Sequence, residues 1–248
     1  MGKAKRKKSS TVYRIVIVLL LAVIAFSLYK IGTILHEYHV GTEEYEKVQS
    51  AAGTDGSSFS GEVDFEALLE TNEDVKAWIY SEDTVINYPV VQGEDNQYYL
   101  YRMINGEWNG KGSIFIDYRC ENPFSDFNTI LYGHRMRDGS MFNSLAEYRD
   151  RDYYEKHRKM MLITPEKKYD LYIFGVVTVA SDSDRYKYSF ESEEEEQEYL
   201  NWIRENSEID TDVSVSAGDR IVMLSTCTYE FEDARLVVYG KLVEREEE

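Results

Sequence analysis

The chain has little of the sulfur that braces small extracellular domains. Only Cys120 and Cys227 occur in 248 residues, so a disulfide framework is excluded and a single bridge is the most that oxidation could form. Two unpaired thiols, one of them reactive, fit the sequence better. Neither C-x-x-C nor H-E-x-x-H is present, which leaves a structural or catalytic zinc site without support, and no cofactor is expected. No period of about 20 to 50 residues recurs, which excludes solenoids and propellers. Positive charge is also scarce past the first thirty residues, where 21 basic side chains face 46 acidic ones, a formal charge of −25. A surface of that sign repels phosphate, and no basic stripe offsets it, so nucleic acid is excluded as a partner.

The first thirty residues are the reverse, with seven basic side chains and no acid. Residues 15–29 are all apolar, small or aromatic, and Ile31, Ile34 and Leu35 prolong the run toward the length of a membrane span. Arg14 and Lys30 can carry their charges to the two interfaces. A cleaved signal peptide shares the basic start and apolar middle, but no A-x-A-like site follows Tyr29. Six of the seven basic residues precede the run, which predicts a cytoplasmic N-terminus and an extracellular remainder. The expected organisation is a basic tail at 1–14, a transmembrane anchor at 15–35, a flexible stalk at 36–61 and one folded domain at 62–248. The stalk reading rests on residues 41–61, polar and rich in Ser, Gly and Glu. Membrane lipid is thus one expected partner, and a single-pass plasma-membrane protein the expected location.

Within the domain, 64–72 shows helical spacing of Phe65, Leu68 and Leu69. Short branched and aromatic runs at 84–92, 113–117 and 129–134 predict strands, as do 160–165 with 169–179, which read as a hairpin. Residues 140–148 look helical. The strongest helix is 192–206, with Ser192 as cap, acids in its first turn, and Tyr199, Trp202 and Ile203 on one face. Runs 220–227 (RIVMLSTC) and 235–243 (RLVVYGKLV) close the chain as strands. Strands outnumber helices, so the fold class is mainly β with peripheral helices (α+β), a closed or half-closed mixed barrel.

A cysteine nucleophile needs a base, and there are four histidines to choose from. His36 and His39 lie against the membrane, and His157 sits in the charged run Glu-Lys-His-Arg-Lys. His134 remains, at the end of an apolar strand as Cys227 is, where scaffolds present reactive groups. Alone, each has a plainer reading: a hydrogen-bonded structural imidazole and a small buried hydrophobe. Seven residues separate Cys227 from Arg235, and a hairpin would set them side by side, with a guanidinium able to hold an oxyanion. Two other patterns mislead. Residues 106–112 are one residue short of a phosphate loop, and 182–184 begin like a calcium loop but have Lys187 where its turn glycine belongs.

The run Leu224-Ser225-Thr226-Cys227 with a later Arg235 and an upstream Tyr132-Gly133-His134 resembles the sortase family. The segments 74–79, 88–92, 95–100 and 112–117 extend the resemblance over most of the domain, and with a helix before the cysteine strand it points to class B sortases of Gram-positive bacteria. The resemblance implies an eight-stranded β-barrel and a transpeptidase: Cys227 attacks a threonine carbonyl in the sorting signal of a secreted protein, and the acyl group passes to an amine of peptidoglycan or its lipid-linked precursor. It implies His134 as acid and base, Arg235 as oxyanion stabiliser, and a peptide groove lined by Asn96, Leu100, Tyr132, Ser225 and Thr226. Thr228 stands where some relatives have an acid, leaving a carboxylate partner for Arg235 open. The alternatives are a cysteine endopeptidase that hydrolyses its acyl-enzyme, or a non-catalytic surface-binding domain with an inert Cys227.

Overall fold

The computed structural model describes residues 7–54, 59, 61–228 and 230–245. The extreme tail, residues 55–58 and 60 of the expected stalk, and the last three residues lie outside them.

Helix α1 runs from Lys7 to Ala51 without a break. It is long and apolar enough to cross a membrane, with a mean hydropathy of 2.5 in its most apolar stretch, none of which is buried. The expected flexible stalk is corrected here: from Gly41 to Ala51 the chain stays helical, and Tyr45, Val48 and Ala52 are buried against the barrel. Their spacing places them on one helix face, which polar composition had masked. Tyr45 Oη donates to Gly112 O (2.5 Å), and its ring meets that of Tyr88 edge-on at 5.2 Å. Gly41 permits the approach, since a Cβ there would lie 2.9 Å from the side chains of Asn109 and Lys111.

Helix α2 (Phe65–Thr71) follows, capped by Asp64, which accepts from Ala67 N (3.0 Å). The strands are β1 (Val75–Tyr80), β2 (Asn87–Val91), β3 (Ile114–Ile116), β4 (Asn128–Tyr132), β5 (Lys159–Ile163), β6 (Lys168–Ala180), β7 (Arg220–Cys227) and β8 (Ala234–Glu244). They close into an eight-stranded barrel in the order β1-β2-β3-β4-β7-β8-β6-β5, with β5 pairing back onto β1. β2–β3 and β4–β7 are parallel, so the barrel is mixed. The core holds Ile79, Val90, Ile114, Ile130, Leu171, Val222 and Leu236, each fully excluded from solvent.

β1 was read only as a family motif; its Ala77, Trp78 and Ile79 are all buried, which erases the alternation that marks a half-exposed strand. The strand expected from residue 84 begins at Asn87, because Ser81 to Ile86 close a turn (Ser81 N to Ile86 O, 2.9 Å). Residues 140–148 become a 3₁₀ helix, Asn143–Arg149, followed by the short α3 (Arg151–Lys156) that the sequence reading lacked. Helix α4 (Glu193–Asn206) carries the expected Ser192 cap. It buries Tyr199, Leu200 and Ile203, while Trp202 stays half-exposed beneath the Arg185 guanidinium, 4.5 Å from its ring.

Candidate active site

At one mouth of the barrel β4 and β7 end and β8 begins. In the parallel β4–β7 pair Tyr132 is the register partner of Ser225, and Gly133 N donates to Ser225 O (3.1 Å), so the ladder runs one residue past the end of β4. His134 and Cys227 then each lie two positions beyond that last register pair. Across the antiparallel β7–β8 pair Cys227 is in register with Arg235. The three side chains line one pocket of about 250 Å³, together with Asn96, Leu100, Tyr132, Ser225 and Thr226. All eight residues singled out in the sequence therefore border the same cavity.

His134 Nε2 lies 2.6 Å from Leu100 O. A carbonyl can only accept, so Nε2 carries the proton and Nδ1 is the nitrogen left to gain or lose one. Burial lowers the His134 pKa, the Leu100 carbonyl partly opposes this, and the Arg235 charge lowers it further. Gly133 is required by packing: a Cβ there would sit 2.5 Å from both Ile114 Cδ1 and Phe142 Cδ2. Arg235 Nη1 donates to Ala234 O (3.0 Å), and no carboxylate pairs with the guanidinium among the described residues. Glu230, an acid of the β7–β8 loop, is engaged elsewhere: it accepts from Thr228 Oγ1 (2.5 Å) and from Arg149. The side chain of Arg235 thus keeps donors for a ligand. Thr226 Oγ1 is buried without a hydrogen-bond partner among the described residues, a second polar atom of the pocket with unused capacity.

Tyr186 completes the wall and was not found from sequence. It lies between β6 and α4; its hydroxyl shares a 2.7 Å hydrogen bond with Ser225 Oγ, and its ring stacks on Tyr132 at 5.9 Å. Burial pushes its phenol up to about 12, so it stays protonated. Tyr132 in turn donates to Asp117 (2.9 Å), whose carboxylate is gripped by Arg119. No local pattern marks Tyr186, since only the fold brings its loop across Ser225.

The remaining candidates stay apart. Cys120 stands in a polar stretch of sequence, residues 117–123, yet it is 3% exposed in the main core, and burial pushes its thiol up to about 11. Gln92 Nε2 donates to Cys120 O (2.8 Å) and holds that loop inward. His157 is half-buried, with Nδ1 2.9 Å from Tyr153 O, and does not line the pocket.

A family model described as a sortase domain matches residues 79–243. The chain belongs to the sortase family. It is 36% identical to sortase B of Listeria monocytogenes over 90% of this chain and 93% of that protein. To sortase B of Staphylococcus aureus it is 35% identical over 92% and 96%. Among solved structures, a Staphylococcus aureus sortase B–substrate complex superposes with a TM-score of 0.75 at 32% identity, covering 85% of this chain and all of that one. A Bacillus anthracis protein described as similar to sortase B gives 0.76 at 41% identity over 84% and 98%. This sortase is a sortase B homologue and a cysteine transpeptidase, and its barrel is the sortase barrel.

Proposed function

We propose that this sortase cleaves the sorting signal of a secreted protein after a threonine, holds the acyl group as a thioester on Cys227, and passes it to an amine of peptidoglycan. The observation that carries this reading is the convergence of Cys227, His134 and Arg235 on one pocket mouth. The Cys227 thiolate attacks the threonine carbonyl carbon, and Arg235 donates to the oxygen as it gains charge. His134, protonated at Nδ1, gives that proton to the leaving amine as the C–N bond breaks. Its neutral form then takes a proton from the incoming amine as that amine displaces sulfur. A sortase B crystallised with triglycine supports a short glycine peptide as the acceptor class. The unpaired Thr226 Oγ1 and the Ser225–Tyr186 pair supply polar contacts for the peptide.

We also read α1 as a membrane anchor with a cytoplasmic N-terminus and an extracellular barrel. The support is the uninterrupted apolar helix and the basic residues ahead of it.

Incubation with a sorting peptide, with and without triglycine, tests the reaction. The peptide should appear joined to triglycine, and hydrolysis alone would point to an endopeptidase. Mass spectrometry should find the acyl group on Cys227. Cys227→Ala should abolish cleavage and trapping, whereas Cys120→Ala should retain both.

A further inference from the structure

Residues 101–109 form a short hairpin beside the pocket, closed by Asn109 N to Tyr101 O and Met103 N to Glu107 O, both 3.0 Å. Its outer face is aromatic. Trp108 is 67% exposed and Tyr101 42%, with their rings stacked at 5.1 Å. Tyr98, 47% exposed, lies under the Arg102 guanidinium, 5.0 Å from its ring. Glu107 is the one acid of the hairpin itself.

The hairpin is clamped lengthwise along α1. Asn105, near its tip, donates to Glu44 (2.9 Å), Asn109 donates to Glu37 O (3.0 Å), and Gly110 N donates to Glu37 Oε1 (2.6 Å). The tip therefore points away from the apolar end of α1, and Trp108 lies at the end nearest it. Glu37 is two residues past Leu35, the last apolar residue of the run. That is a rise of about 3 Å, against a headgroup layer of roughly 5–7 Å on each side of the hydrocarbon. Tryptophan and tyrosine, with an apolar ring and a polar edge, favour that layer.

We propose that the Tyr101–Trp108 face docks on the lipid surface and holds the mouth of the Cys227 pocket at the bilayer interface. This rests on α1 being a membrane anchor. The clamp at Glu37 and Glu44 fixes the hairpin to the helix, so the depth of the span sets the depth of Trp108. The contact also reaches the pocket: the Tyr101 ring is 5.7 Å from that of His134, and the preceding residue, Leu100, supplies the carbonyl that His134 Nε2 meets. Docking would order this segment and present the pocket to a peptide or lipid-linked amine leaving the same membrane.

The full chain in phosphatidylcholine vesicles, with part of the lipid brominated high on its acyl chains, tests the proposal. Of three tryptophans, Trp78 is fully buried, packed with Val48, Ala52 and Leu68, and Trp202 is half-buried on α4, so lipid quenching reports on Trp108. Brominated lipid should quench the parent, and Trp108→Ala should lose that quenching. Equal quenching in both, or none in a parent that resists an alkaline wash, overturns the docking and leaves the anchor standing. Release of the parent by that wash removes anchor and docking together. If Trp108 is instead shielded from aqueous acrylamide only as protein concentration rises, the face belongs to a second copy and the proposal fails. Trp108→Ala should also slow turnover of a vesicle-embedded substrate while leaving that of a short soluble peptide unchanged.

Discussion

Cys227 and Arg235 are register partners across β7 and β8, so the backbone ladder itself holds the guanidinium beside the thiol. Arg235 anchors only Nη1, on Ala234 O, and a planar fork of donors is left facing the pocket. Lysine would keep the charge and lose the fork. Arg235→Lys should therefore lower kcat by about 100-fold or more with little change in KM or thermal stability. Steady-state kinetics with melting curves check this, and near-normal turnover would reduce Arg235 to a substrate clamp.

Gly133 positions His134 by having no side chain. A methyl group there meets Ile114 and Phe142 at 2.5 Å, well inside contact distance. Gly133→Ala should cost about 1–3 kcal/mol, typical of overpacking, and should lower turnover although His134 is still present. Gly32→Ala, where an added Cβ meets nothing within 4 Å, is the control and should change neither property. Activity that survives in a destabilised Gly133→Ala would separate packing from positioning.

His134 makes stability depend on pH in a definite direction. Its pKa in the fold lies below the ordinary 6.5, chiefly through burial, so the unfolded chain binds the proton more readily. The contribution is complete above the unfolded value and is lost as pH falls from there toward the folded one. In urea unfolding, the parent should lose more stability below about pH 6.5 than His134→Gln does. Parallel curves for the two would show that His134 is not desolvated.

The helical end of α1 belongs to the catalytic unit. A chain beginning near Ile31 should keep the fold, whereas one beginning near Glu62 exposes the surface that Tyr45, Val48 and Ala52 cover. Losing a buried aromatic costs about 3–5 kcal/mol, so Tyr45→Ala alone should lower Tm by roughly 10 °C. Calorimetry of the three forms checks this. An unchanged Tm in the shorter chain would restore the view of 41–61 as a passive stalk.

Much of the site was legible in one dimension. Ile221 to Leu224 and Leu236 to Tyr239 are unbroken apolar runs that lead to Cys227 and away from Arg235, and the short loop between them leaves an antiparallel pairing as the ready solution. Ser192 followed by four glutamates marks the start of α4 just as directly. Cys120 shows where composition misleads, because a polar neighbourhood in sequence says nothing of what folds over it.

What the sequence determined by itself was local: the apolar helix, the cap of α4, the strand ends, and the Cys227–Arg235 spacing that a hairpin converts into contact. Tertiary structure alone decided which distant segments meet. The parallel β4–β7 pairing, formed across β5, β6 and α4, sets His134 beside Cys227, and the same closure carries Tyr186 over Ser225 and Leu100 O onto His134. It also docks the polar end of α1 on the barrel. Periodicity reports which face of an element is apolar, since that depends on neighbours within a few residues. It does not report which remote face will cover it, because that is chosen by the packing of the whole barrel.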